Sequence, residues 1–132
     1  MVSIDTIIAM VERPSHRELS SKLKEARAAV ERGAIGVINS GALAEDAIEL
    51  GYLVEELQEV LLEILGEVKP GHYAGSRPPP RSYERETRDL ELFAFSWMSR
   101  RFGCRVYLKF ALKEGTFWLV SLHVDRGRGV RA

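Results

Sequence analysis

Residues 104–112 and 116–124 alternate apolar and polar side chains, and the polar positions hold groups that can do chemistry. In the first segment Val106, Leu108, Phe110 and Leu112 fall on one face, and Arg105, Tyr107, Lys109 and Ala111 on the other. In the second, Trp118, Val120, Leu122 and Val124 oppose Phe117, Leu119, Ser121 and His123. A hairpin through Lys113-Glu114-Gly115 has two registers that keep polar groups out of the core. One sets Tyr107 across from His123 and Lys109 across from Ser121. The other sets His123 across from Arg105 and diagonal to Tyr107, with Gly115 last in a three-residue loop, where a left-handed residue is wanted. A one-residue slip buries His123 opposite Val106. In both allowed registers Arg105, Tyr107, Lys109, Ser121 and His123 share one solvent-facing surface within cross-strand reach.

That set suits a phosphodiester. His123 can exchange protons near neutral pH. Lys109 and Arg105 can neutralise a phosphate oxyanion. Tyr107 can hydrogen-bond a phosphate, stack on a base or relay a proton. RNA carries its own nucleophile, the 2′-hydroxyl, so such a site needs no cofactor and no catalytic metal. The plainer reading is that polar residues fill the outer face of any half-buried sheet.

Other chemistries have less behind them. His16, His72 and His123 lack metal-ligand spacing, and the single Cys104 has no thiol partner. There is no phosphate-binding Gly-Lys-Ser/Thr loop and no dinucleotide fingerprint. Glu45, Asp46 and Glu49 fit a solvated helix face better than a carboxylate cluster. Trp97, Trp118 and the phenylalanines fit a core better than a base-stacking platform.

The elements that must hold this face come mostly before it. Ser3 to Val11 reads as a short leading helix ended by Pro14. Ser15, with Glu18 in the capping-box position, starts a second one in which Leu19, Leu23, Ala26 and Val30 recur at helical spacing until Gly33. A further helix begins at Ser40 or Gly41 and stops at Gly51. Leu53, Leu57, Val60, Leu61 and Ile64 form a last helical stripe, ended by Gly66. Residues 67–89 then change to Gly, Pro, Arg and Tyr, a long loop carrying Pro78-Pro79-Pro80. Leu90 to Met98 reads as a strand, with a short helix as the other option at its start. The two alternating strands follow, and Arg126 to Arg131 reads as a frayed basic tail. Helices first and an antiparallel sheet after make one α+β domain over residues 1–132.

The chain has 132 residues and a net charge of zero, from 19 Lys+Arg and 19 Asp+Glu. The cancellation is between halves: residues 1–66 hold 6 basic and 12 acidic side chains, residues 67–132 hold 13 and 7. The positive half is also the half with the candidate site, which fits an anionic partner. The composition excludes a disordered chain, and one Cys excludes an internal disulfide. With no apolar stretch long enough for a bilayer and no basic-then-apolar start, a cytoplasmic protein is expected, with no membrane partner.

Three stretches resemble the MqsR family of bacterial toxins, mRNA interferases with a RelE-like fold. They are Ser40-Gly-Ala-Leu43 leading into Ala47-Ile-Glu-Leu-Gly51, then His72-Tyr73, and the pair Val106-Tyr-Leu-Lys-Phe110 and Leu119-Val-Ser-Leu-His123. Together they span roughly residues 16–125 in the family's order. The resemblance implies a RelE-like sheet and an endoribonuclease of a type II toxin–antitoxin pair. Its partners would be single-stranded mRNA, free or on the ribosome, and a cognate antitoxin protein. It also implies that Tyr107 acts at the scissile phosphate, that His123 replaces a lysine as general acid or base, and that Tyr73 is the loop tyrosine. The chain departs from the pattern in two places. The lysine after the loop tyrosine is absent, which leaves Arg77, Arg81 and Arg85 to supply charge to the substrate. The family's first-strand glutamine has no match, and Glu91 is the nearest polar candidate. A non-catalytic module of the same fold, binding RNA or a protein partner, is the alternative.

Overall fold

In the computed structural model, residues 13–127 are described. They run α1 (His16–Glu31), β1 (Ile35–Val37), α2 (Ser40–Leu50), α3 (Leu57–Leu65), β2 (Phe93–Ser99), β3 (Cys104–Lys113) and β4 (Thr116–Val124). Short 3-10 turns lie at Val54–Glu56 and Pro70–His72. The expected leading helix, and the tail beyond Gly127, lie outside the described residues. Among the described residues no helix is long and apolar enough to cross a membrane.

Local chemistry sets the helix ends. The Ser15 hydroxyl accepts the Glu18 amide at 3.1 Å and starts α1. The capping box stays open, because the Glu18 carboxylate turns to the Arg13 guanidinium instead. Asn39 caps α2 by accepting the Ala42 amide, and Gly51 ends it in the left-handed region at φ 83°. The stripe expected for α3 is buried at Leu57, Val60, Leu61 and Ile64 but not at Leu53, which is 65% exposed. Glu56 takes the Leu53 amide at 2.8 Å and folds residues 54–56 into a 3-10 turn, so Leu53 stands outside the helical period.

The four strands lie in the order β1-β4-β3-β2. The sheet is mostly antiparallel, with one exception the sequence did not signal: β1, from the helical half, pairs parallel to β4 through Ile35 with Phe117 and Val37 with Leu119. Strand β2 begins at Phe93 rather than Leu90, and no helix precedes it. Its core face, Phe93, Phe95 and Trp97, meets Val106, Leu108 and Phe110 of β3 beneath α1 and α3.

The β3–β4 hairpin combines two registers. Glu114 and Gly115, at φ 49° and 80°, make a two-residue turn. The turn pairs Lys113 with Thr116 and Phe110 with Leu119. Carried to the open end, this is the slipped register that buries His123 against Val106. A bulge at Val120 prevents that. Beyond it Lys109 faces Ser121, Leu108 faces Leu122 and Tyr107 faces His123. The expected single alternation of β4 is therefore corrected. Phe117 and Leu119 enter the core, and Trp118 lies on the other face, across Gly36.

The long loop is ordered along β2. Ala74 donates to the Ala94 carbonyl and Leu92 to the Pro80 carbonyl, both at 2.8 Å. At the opposite end, Glu67 joins the helices to the sheet. Its carboxylate accepts Trp97 Nε1 at 2.9 Å, and Ser99 Oγ and the Arg101 amide at 2.8 Å.

Candidate functional site

On the face of the sheet away from α1 and α3, β3 presents Arg105, Tyr107 and Lys109 between Ser96 on β2 and Ser121 and His123 on β4. Register does the assembling: Tyr107 has Ser96 on one side and His123 on the other, and Lys109 has Ser121. The Tyr107 and His123 rings stack, with centroids 5.2 Å apart and planes 21° apart. The surface is less open than its pattern implied. Arg105 is exposed, but Tyr107, Lys109, Ser121 and His123 are half-buried.

The contacts of His123 bear on what it can do. Its Nδ1 lies 2.8 Å from the Val124 carbonyl. A carbonyl only accepts, so in this contact Nδ1 carries the proton and the neutral ring keeps its lone pair on Nε2. Burial pushes the Tyr107 phenol above its ordinary pKa, and the nearby Asp125 carboxylate adds to the rise. The phenol is therefore a neutral hydrogen-bond donor at physiological pH.

Two residues at this face lay outside the sequence reading. Ser96 donates to Asp125, which follows β4, and the Arg105 guanidinium reaches the Ser96 hydroxyl at 3.5 Å. The Asp125 carboxyl is held below its ordinary pKa, first by Ser96, then by the Gly127 amide against the cost of burial, with His123 and Arg105 adding attraction. Ser96, two places beyond Ala94 on the same face, is readable from alternation once β2 is placed. Asp125 lies beyond the strand pattern and left no such signal.

Helix α2 flanks the open half of β4. Asp46 lines a small cavity of about 30 Å³ with Asn39, Val120 and Ser121. Burial raises the Asp46 pKa, a protonated His123 opposes that, and Glu49 and Glu45 reinforce it. Glu49 itself pairs with Arg126.

The remaining candidates lie on the long loop and along the β2 edge. Tyr73 bridges to Phe95 at the β2 edge, meets that ring edge-on and donates to the Ser76 carbonyl. The Arg77 guanidinium lies 5.0 Å from the centroid of the Tyr73 ring and donates to the Pro14 carbonyl. Burial raises the Tyr73 pKa against the opposing charge of Arg77, and Tyr107 is within electrostatic reach. Arg81 donates to the Asp89 carbonyl, and Arg85 stands exposed farther along the loop. Glu91, the stand-in for a strand glutamine, is instead held bidentately by Arg13, which also binds Glu18. That ion pair closes the β2 edge onto α1, a structural use that takes Glu91 out of the candidate site. The Arg13 guanidinium is raised by its bonds to Glu18 and Glu91.

No known family model matches the chain, and no curated protein matches it significantly. Among the described residues no three His, Cys, Asp or Glu side chains gather as metal ligands.

Proposed function

We propose that the chain is an endoribonuclease of the toxin–antitoxin kind, cutting single-stranded mRNA by attack of the 2′-hydroxyl on the adjacent phosphate. The observation that carries this reading is the stacked pair Tyr107–His123, in which the free Nε2 of His123 points to proton transfer. His123 takes or gives the proton. The Tyr107 phenol, kept neutral by burial, donates to a phosphate oxygen, and Lys109 and Arg105 offset the charge that develops there. Products would end in a cyclic phosphate and a 5′-hydroxyl.

The test is incubation with a defined mRNA, with and without ribosomes, and mapping of 5′-hydroxyl ends. His123→Ala should slow cutting by roughly 10²–10⁴-fold. Intact RNA under both conditions, or an alanine variant as fast as wild type, would sink the proposal.

The second reading is a non-catalytic module. It draws on a separate surface, where Ile48 is 82% exposed and Leu53 65%, beside the carboxylates Glu45, Glu49 and Glu55. Exposed apolar side chains on this acidic segment would suit contact with a protein partner. It predicts partner or RNA binding and no cleavage products.

A further inference from the structure

Tyr83 is 95% exposed, more than any other large hydrophobic side chain among the described residues. It does not stand on loose chain. On either side of it Ser82 and Thr87 are 3% and 0% exposed, and their hydroxyls bond to each other at 2.8 Å. The Ser82 hydroxyl also accepts the Glu84 amide, and its backbone bonds to Leu90 and Asp89. Arg81 ties back to the Asp89 carbonyl. The loop tip is thus pinned by two buried hydroxyls and a guanidinium, and the ring they flank packs on nothing. Folding gains little from that tyrosine.

We infer that Tyr83 is a base-stacking platform for single-stranded RNA, set along β2 from the Tyr107–His123 pair. This rests on the endoribonuclease reading and deepens it. Arg81 bridges to Glu91, five residues before Ser96 in nearly extended chain, so the foot of the loop tip lies about 17 Å along the strand from the Tyr107 row, with Tyr83 beyond it. A strand bound at Tyr107 therefore needs several further nucleotides to reach Tyr83. The tip carries Arg85 and Arg88 but also Glu84 and Glu86, so net charge there is small and the aromatic ring supplies the recognition. Stacking of that kind is tolerant of base identity.

The experiment uses the full chain and labelled 2′-O-methyl RNA of about twelve nucleotides, which spans both places and offers no 2′-hydroxyl nucleophile. Tyr83→Ala should weaken binding about tenfold, within the range that stacking on one aromatic ring supplies, and Tyr83→Phe should bind like wild type. On an abasic strand of equal length, which keeps the phosphates, the alanine penalty should vanish. Equal affinity of wild type and Tyr83→Ala for the full RNA overturns the inference, and so does a penalty that persists on the abasic strand. Failure of the wild-type chain to bind either strand overturns the underlying RNA reading as well, and is a separate result. At 95% exposure the substitution leaves the fold alone, so each outcome reports on binding.

Discussion

Glu67→Ala removes the acceptor at the joint between the helical half and the sheet. Three donors lose their partner: Trp97 Nε1, Ser99 Oγ and the Arg101 amide. Trp97 is 3% and Ser99 1% exposed, so both donors are stranded except where water enters the space left by the partly exposed carboxylate. The Ser99 hydroxyl keeps one role, accepting the Phe102 amide. With each stranded buried donor costing roughly 1–3 kcal/mol, the substitution should cost about 3–5 kcal/mol. Against a total stability of roughly 5–15 kcal/mol that is severe. In urea, with a slope of about 2 kcal/mol/M, the midpoint should fall by about 2 M, followed through tryptophan fluorescence. Acid supplies a second arm. Burial works against the charged Glu67, but the bonds from Trp97, Ser99 and the Arg101 and Arg100 amides outweigh it and hold the pKa below its ordinary value. A carboxyl lowered in the folded state stabilises above its unfolded pKa, and that contribution fades as pH falls through the folded one. The gap between variant and wild type should therefore narrow in acid. Equal midpoints at neutral pH, or a gap that stays constant into acid, would refute the reasoning.

Two more outcomes can be checked. A Cβ at Gly36 would lie 2.4 Å from Trp118 Cε3, so Gly36→Ala must displace the indole. It should destabilise by about 1–3 kcal/mol and red-shift the Trp118 emission, read in a Trp97→Phe background. An unshifted spectrum would mean that the ring does not lie across the glycine. Ser96→Ala removes the leading stabiliser of ionised Asp125, so that carboxyl should titrate at higher pH in a carbon-detected NMR experiment. An unmoved titration would dismiss the Ser96–Asp125 bond.

Most helix limits and two of the strands could be read from the chain because each rests on local chemistry. Ser15, Gly33 and Gly51 each act within a few residues, whereas the two-residue Glu114-Gly115 turn belongs to neither register that the alternation allowed. The shared face of Tyr107, Lys109 and His123 was readable for a similar reason, since alternation is local too. Three features were not. Strand β1 has three residues, one of them Gly36, and its pairing partner lies some eighty positions away. The Val120 bulge hides in a run where Trp118, Val120, Leu122 and Val124 are all apolar, so the pattern supports either phase. The role of Glu91 depends on Arg13, which is distant in sequence and whose partner no spacing rule names.

The proline-rich loop has one more consequence. Strand β2 is the outermost strand on its side of the sheet, and such an edge is where one chain can add to another by backbone pairing. Here the Ala94 carbonyl and the Leu92 amide are already taken by the chain's own residues 74 and 80. Between those positions Pro78, Pro79 and Pro80 have no amide hydrogen to offer a further strand. The segment that presents Tyr83 thus also guards the sheet against runaway self-association. Replacing its prolines would put the protein's solubility at risk before its chemistry.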